Sequence, residues 1–196
     1  MTYNKITVFC GSSGLCDKMF LDAAKELGVK LARSKRGIIY GGGNIGLMKE
    51  LADGCLSASG RIVGVIPRFM NDMGMGHQKL TKLVVVEDMQ SREEIMMLQS
   101  NCIIALPGGC GTFSELMQVI TWKSLGIINV PIIIGNLKNY FNPLIKQLNH
   151  SVTEGFMDIK TLQNWATAYT VEEILQILNE FDEKAKKENR VETIKM

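Results

Sequence analysis

Short apolar runs alternate with longer helix-like segments along this chain, and the alternation restricts the fold more than any other feature. Runs such as ITVFC and IIALP are apolar throughout, as expected for strands covered by helices on both faces of a sheet. The runs predict seven strands, at residues 6–10, 37–40, 61–66, 83–86, 102–106, 130–134 and 166–169. The segments between them predict six helices, at residues 17–33, 45–57, 91–100, 112–125, 142–154 and 171–182. The pattern predicts an α/β fold, a doubly wound and mainly parallel sheet of about seven strands with helices on both faces.

Length and charge indicate one domain without an obvious polyanionic partner. At 196 residues the chain is long enough to bury a sizeable core, and residues 1–183 are predicted to form a single domain. The dense basic run at residues 184–190 is interleaved with glutamate, so residues 184–196 are predicted to be a charged, solvated tail. The 22 basic and 20 acidic side chains give a net charge of +2, which argues for neither a nucleic acid nor a membrane surface.

Cellular location and metal content follow from a few residue types. No apolar stretch approaches the roughly 20 residues that cross a bilayer, and MTYNKITVFCG enters a strand without signal-peptide features. Five cysteines without a C-x-x-C pair favour reduced, mostly packed thiols. We therefore expect a cytoplasmic protein. The two histidines, His77 and His150, are far apart in sequence, so no metal site is expected.

Glycine-rich turns follow the first, second and fifth predicted strands, at residues 11–14, 41–46 and 108–111. In a parallel sheet the carboxyl ends of the strands meet at one edge, where ligands bind. Three such turns at one edge predict a pocket. Its first two turns contribute the candidate binding residues Ser12, Ser13, Gly42 and Gly43.

The most informative turn is LPGGCGTFSE, residues 106–115, which joins a strand to a helix. Glycines let the backbone approach a ligand closely, and unpaired N–H groups at a helix start suit a phosphate. Glu115 lies one turn into that helix. The turn therefore predicts a site for a phosphorylated small molecule beside an acid, with the binding residues Gly108, Gly109, Cys110, Gly111 and Thr112.

Each of these motifs also has a purely structural or a competing interpretation. Thr112 and Glu115 fit a capping box, in which the glutamate only folds back on the helix start, and Ser91 with Glu94 fits a second one. Arg92 would then be the first helical residue at the same sheet edge, or a plain surface arginine. The spacing G-x-G-x-x-G at residues 41–46 fits a dinucleotide site, but no acid follows at the end of the next strand. No histidine is near Cys110 in sequence, which disfavours a nucleophilic role.

The helix after the glycine turn is apolar on two sides. Phe113, Leu116, Met117 and Ile120 form a stripe that faces the core, and Val119 with Trp122 extends the apolar surface to a second side. A helix that is buried twice suggests a homodimer interface.

The motifs FCGSSG, YGGGNIGLM, MQSR and PGGCGTFSE occur in order, and with them the chain resembles the LOG ("lonely guy") family. The family signature P-G-G-x-G-T-x-x-E is met from Pro107 to Glu115. These proteins are cytokinin riboside 5′-monophosphate phosphoribohydrolases, some of which were labelled lysine decarboxylases in error. The resemblance implies a Rossmann-like homodimer with its active site near the subunit interface and without a metal or redox cofactor.

The resemblance also implies the reaction and its residues. It implies hydrolysis of the N-glycosidic bond of a purine nucleoside 5′-monophosphate to free base and ribose 5-phosphate. Glu115 and Arg92 match the catalytic pair, the turn at residues 108–112 matches the phosphate loop, and Met89 belongs to the motif around the arginine. The runner-up function is a nucleotide-binding carrier or regulatory protein of the same fold that does not turn its ligand over.

Two departures from the family pattern concern the substrate. The pattern around the arginine is usually M-x-x-R-K, but here Glu93 follows Arg92. The family often has a substrate-contacting glutamate before the fourth strand, where this chain offers only Asp72. Both departures leave the preferred base open, as the sequence also leaves open whether residues 67–82 close over a ligand.

Overall fold

A computed structural model describes residues 4–194, with side chains to residue 187. It contains seven strands: β1 Lys5–Phe9, β2 Gly37–Tyr40, β3 Ile62–Pro67, β4 Lys82–Val86, β5 Cys102–Ala105, β6 Ile132–Gly135 and β7 Trp165–Ala168. Its helices are α1 Lys18–Arg33, α2 Gly46–Ser57, α3 Arg68–Asp72, α4 Met89–Leu98, α5 Cys110–Ser124, α6 Asn142–Thr153 and α7 Val171–Ile194. All seven predicted strands are present, each within two residues of its predicted bounds.

The strands form one sheet in the order β4-β3-β2-β1-β5-β6-β7, and every neighbouring pair is parallel. The predicted doubly wound α/β sheet is therefore confirmed. The chain leaves β1 in one direction and later returns to β1's other side with β5. At this reversal the loops after β1 and β5 diverge, and a crevice opens at the carboxyl edge.

Two apolar cores explain why the strands are apolar throughout. In β1, Ile6 and Val8 belong to the core under α1, α2 and α7, whereas Phe9 belongs to the core under α4 and α5. Val119 and Leu116 are both fully buried in this second core. Val119, predicted to extend the apolar surface of α5 to a second side, is thus buried within this chain's own core.

Two helices begin two residues earlier than predicted. The Asp88 carboxylate accepts a hydrogen bond from the Ser91 N–H at 2.7 Å, so Asp88 caps α4 and Ser91 lies inside the helix. Gly109 precedes α5 and supplies no side-chain cap, so Thr112 lies in the first turn. The two capping-box interpretations were therefore wrong, and Arg92 is the fourth residue of α4.

The ends of the chain and its longest connection differ in detail from expectation. The predicted irregular connection at residues 67–82 contains the short helix α3. Helix α7 continues through the charged segment to Ile194, and residues 1–3 and 195–196 of the predicted domain and tail lie outside the described residues. Within residues 4–194, no helix has the length and apolar character needed to cross a membrane.

Candidate functional site

The three glycine-rich turns meet at the carboxyl edge of the sheet, as the sequence predicted. The Gly11 N–H donates to the Pro107 carbonyl at 3.0 Å, which joins the turn after β1 to the turn after β5. The Met48 N–H donates to the Gly11 carbonyl at 3.3 Å, which joins the first turn to α2. Gly46 has φ +63°, and a Cβ there would lie 2.4 Å from the Ser13 carbonyl oxygen. Only glycine allows this approach.

The start of α5 presents backbone donors to this edge. The Phe113 N–H makes the first backbone hydrogen bond of the helix, to the Gly109 carbonyl at 3.0 Å. The N–H groups of Cys110, Gly111 and Thr112 precede it, and the first N–H groups of any helix have no intrahelical acceptor. Together with the helix dipole, they suit an anion such as a phosphate.

A cavity of about 280 Å³ lies between the turns after β1 and β5. This volume is just below the range of typical ligand pockets, so the cavity suits a small ligand or one part of a larger one. Tyr140 closes one side, and its hydroxyl donates to the Gly108 carbonyl at 2.6 Å. The cavity is lined by Gly11, Ser12, Ser13, Cys16, Phe20, Leu47, Pro107, Gly108, Gly109 and Tyr140. Sequence reasoning missed Tyr140, although its position after β6 places it at the same edge.

Arg92 and Glu115 form a buried ion pair next to the turns. Arg92 Nη1 lies 2.9 Å from Glu115 Oε1, and only 7% of Arg92 and 4% of Glu115 is exposed. Arg92 Nε also donates to the carbonyl of Val65 in β3, at 3.2 Å. A Cβ on Gly41 would lie 2.0 Å from Arg92 Nη2, so glycine at this position makes room for the guanidinium. Glu115 therefore pairs with Arg92 instead of folding back on its own helix.

Burial raises the pKa of Glu115 from 4.5 to about 7. The Arg92 charge opposes this effect, and the neighbouring negative charge of Glu93 adds to it. Burial also raises the pKa of the Cys10 thiol, which lies near the same pair. A carboxyl group with a pKa near 7 can both take up and release a proton at neutral pH, as acid–base catalysis requires.

Comparison with known proteins gives this site a family. The model of the family described as "possible lysine decarboxylase" matches residues 48–178. A cytokinin riboside 5′-monophosphate phosphoribohydrolase of Rhodococcoides fascians is 40% identical over 157 residues, covering 80% of this chain and 79% of that protein. The chain belongs to the LOG family. A cytokinin riboside 5′-monophosphate phosphoribohydrolase of Arabidopsis thaliana is 34% identical over 91% of this chain and 78% of its own length.

The fold is shared more widely than the LOG family's sequence. The molybdenum cofactor carrier protein of Chlamydomonas reinhardtii superposes with a TM-score of 0.67 at 21% identity, covering 91% of this chain and 97% of that protein. At this identity the likeness establishes the fold and no common ligand.

The remaining predicted site residues occupy different surroundings. Ser12 and Ser13 are exposed and line the cavity. Gly42 and Gly43 are buried, and they contact the connection between α3 and β4 instead of lining that cavity. Met89 is the first residue of α4 and is 39% exposed.

The two departures from the LOG pattern lie at different distances from the ion pair. Glu93 is half-buried and near enough to Glu115 to affect its pKa. Asp72 is exposed at the end of α3. Among the described residues, no group of three His, Cys, Asp or Glu side chains is arranged to hold a metal ion.

The raised pKa of Glu115 predicts how the site affects stability. Because folding raises this pKa above its unfolded value, folding favours the protonated carboxyl, and the stabilisation is complete only below pH about 4.5. It is lost as the pH rises to about 7. We expect the free energy of unfolding of the wild type, minus that of Glu115→Gln, to fall by about 3 kcal/mol between pH 4.5 and 7.5.

Chemical denaturation at a series of pH values measures this difference, and the subtraction removes the contribution of other titrating groups. A difference that rises with pH would mean that the Arg92 charge outweighs burial and holds the pKa of Glu115 below its ordinary value.

Proposed function

We propose that this LOG-family protein hydrolyses the N-glycosidic bond of a purine nucleoside 5′-monophosphate, either a cytokinin riboside 5′-monophosphate or AMP, to free base and ribose 5-phosphate. One observation carries the proposal, namely a buried carboxyl with a pKa near 7 one helical turn from a cluster of backbone N–H donors. The names of the relatives at 34–40% identity support the same reaction.

The 5′-phosphate would bind the N–H groups of Cys110, Gly111 and Thr112. Glu115 lies on the same helix, roughly 6 Å further along its axis than the middle one of these residues, at 1.5 Å per residue. This separation is comparable with the span of a ribose between its 5′-phosphate and C1′. Binding energy from the phosphate would hold the reacting carbon near the carboxylate.

Glu115 in its ionised form would accept a proton from the attacking water. The water oxygen bonds to C1′, the electron pair of the C1′–N9 bond leaves with the base, and the departing base takes up a proton. Positive charge builds on the ribose in such transition states, and a nearby carboxylate stabilises it. Arg92 would hold Glu115 in place, and its fork of donors could also offset negative charge on the departing purine.

The reaction requires nothing beyond groups of this chain and water, so we propose no cofactor. All five cysteines are free thiols and three of them are buried, which suits the reducing cytoplasm. We place the reaction there.

A non-catalytic nucleotide carrier or regulator is the second candidate, and Glu93 is the observation that favours it. A negative charge beside Arg92, where LOG proteins usually have lysine, would weaken attraction for an anionic substrate. Such a protein would bind AMP and release no base.

Substitution of the acid tests the enzymatic proposal. We expect wild-type protein incubated with AMP or isopentenyl-AMP to release free base, and Glu115→Gln to reduce the rate by about 10²- to 10⁴-fold, because the amide cannot accept the proton. Chromatography quantifies the released base. Glu94→Gln is the matched control, since Glu94 is an exposed glutamate on α4. AMP binding without base release from any purine monophosphate would support the carrier instead.

The negative charge of Glu93 should affect how turnover depends on pH. Because general-base catalysis needs ionised Glu115, kcat should rise with pH through the pKa of this group, about 7. Removal of the Glu93 charge should lower that pKa, so the rising limb should move to lower pH in Glu93→Gln and further in Glu93→Lys. A pH–rate profile of the three proteins measures the shift. If the rising limb lies at the same pH in all three proteins, Glu93 does not affect the pKa of Glu115.

We also propose a homodimer. Leu98 on α4 and Leu125 and Ile127 after α5 are each more than half exposed, and both helices cover the same face of the sheet. Exposed apolar groups of this kind are typical of an interface.

The mass of the protein in solution tests the dimer. Light scattering should give twice the chain mass of 21.8 kDa for the wild type and a single chain mass for Leu98→Glu. Phe156→Glu is the control, because Phe156 is an exposed phenylalanine after α6, and this variant should keep the mass of a dimer. A monomeric wild type would contradict this proposal.

A further inference from the structure

His77 is a buried histidine outside the ion pair and the cavity, and only 6% of it is exposed. It lies between α3 and β4. Its Nδ1 accepts a hydrogen bond from the Lys79 N–H at 3.2 Å, so its proton is on Nε2. Nε2 lies 3.1 Å from Asp53 Oδ1 on α2 and donates to it. The Nδ1 bond orients the ring within its own segment, and the Nε2 bond fixes that segment on α2.

Asp53 is itself held in place. It pairs with Lys49 one turn earlier on α2, at 2.5 Å. The hydrogen bonds from Lys49 and His77 hold the pKa of Asp53 below its usual value, although burial opposes them. An ionised carboxylate is a strong acceptor for the imidazole N–H.

The segment that His77 anchors is hydrogen-bonded to the glycine turn after β2. The His77 N–H donates to the Gly42 carbonyl at 2.9 Å, and the Asn44 N–H donates to the Met75 carbonyl at 3.1 Å. Gly43 and Gly76 form an antiparallel bridge between these two bonds. The turn at residues 42–44 is thus hydrogen-bonded along its length to residues 75–77.

Gly41, which immediately precedes residues 42–44, packs against Arg92. The place of a Cβ on Gly41 is occupied by Arg92 Nη2, so the turn's backbone limits where the guanidinium can lie. The Val65 carbonyl restrains the guanidinium at Nε. The third restraint is Glu115 at Nη1. A chain of direct contacts therefore leads from Asp53 through His77 and the glycine turn to Arg92.

We propose that His77 is a positioning residue for the reaction. By bonding Asp53 and the Lys79 backbone, it holds the turn at residues 41–44 against Arg92, and so keeps the guanidinium on Glu115. The inference rests on the proposed function. A purely structural role of His77 would affect stability only. A positioning role predicts that loss of His77 also slows the chemical step. Misplacement by about 1 Å can cost roughly 10²-fold in rate.

Four variants test the proposal. His77→Leu removes both ring hydrogen bonds, and we expect kcat for base release to fall about 10- to 100-fold while KM for AMP changes less than about threefold, since the phosphate donors of α5 are untouched. His77→Gln, whose amide can still donate to Asp53, should restore most of kcat. Asp53→Asn should lower kcat with His77 still present, because a neutral amide oxygen accepts a weaker hydrogen bond than an ionised carboxylate. His150→Gln is the matched control, because His150 is the chain's other histidine and is exposed on α6.

Hydrogen exchange gives a readout that does not need turnover. Amide exchange of residues 41–48 and 89–98, followed by mass spectrometry, should accelerate in His77→Leu and Asp53→Asn and stay unchanged in His150→Gln. Unchanged kcat in both His77→Leu and Asp53→Asn, or a loss expressed only in KM, would overturn the proposal. If the wild type releases no base, the proposed function fails, and exchange at residues 89–98 then decides alone. Acceleration would support positioning of Arg92, and unchanged exchange would refute it.

Discussion

The buried pair of Arg92 and Glu115 is the constraint on which the rest of the site depends. Two charges withdrawn from water must satisfy each other, because the loss of either would leave the other buried and unpaired at a cost of about 3–5 kcal/mol. A single carboxylate cannot occupy all five donors of a guanidinium. The Val65 carbonyl takes the Nε donor, and the backbone at Gly41 closes on Nη2. The residue after β2 and a carbonyl within β3 thus both contact one arginine.

The sheet order determines where this pair can meet a ligand. Strands β1 and β5 are neighbours, but the turn after β1 leads to α1 on one face of the sheet and the turn after β5 leads to α5 on the other. The Gly11–Pro107 hydrogen bond joins the two turns at the base of the crevice. Helix α5 starts directly above it and carries Glu115 one turn later. The backbone donors and the acid therefore reach the same edge of the sheet because of the strand order, the glycine turns and the position of the helix start.

The sequence predicted the sheet well because buried strands have an unambiguous signal. Most of the predicted strands are apolar runs of four to six residues, several of them followed by glycine-rich turns, and such runs leave few alternatives. The helix starts of α4 and α5 were each misplaced by two residues for one reason. The S/T-x-x-E spacing resembles a capping box, but Asp88 is the better acceptor for α4, and Arg92 offers Glu115 a full opposite charge. Tertiary contacts of this strength override what a local sequence pattern predicts.

The contacts of His77 and Tyr140 had no local signal at all. His77 reaches Asp53 across 24 positions in the chain, and Tyr140 reaches Gly108 across 32. Nothing in the spacing of these residues specifies either pair. Such contacts depend on how the connections between strands fold back on the sheet, and a sequence pattern carries little information about that.

The proton affinity of Glu115 connects the fold to the chemistry. Burial alone would keep the carboxyl protonated, and Arg92 alone would keep it ionised. Burial outweighs Arg92 and leaves a pKa of about 7, where a small change in nearby charge alters the protonation of the carboxyl at neutral pH. Positive charge developing on a bound ribose would favour the ionised form at the moment when a base is needed. Glu93 acts in the opposite direction and raises the proton affinity of Glu115. Its position beside Arg92 therefore has a definite physical effect on the acid, and the family pattern's lysine would reverse the sign of that effect.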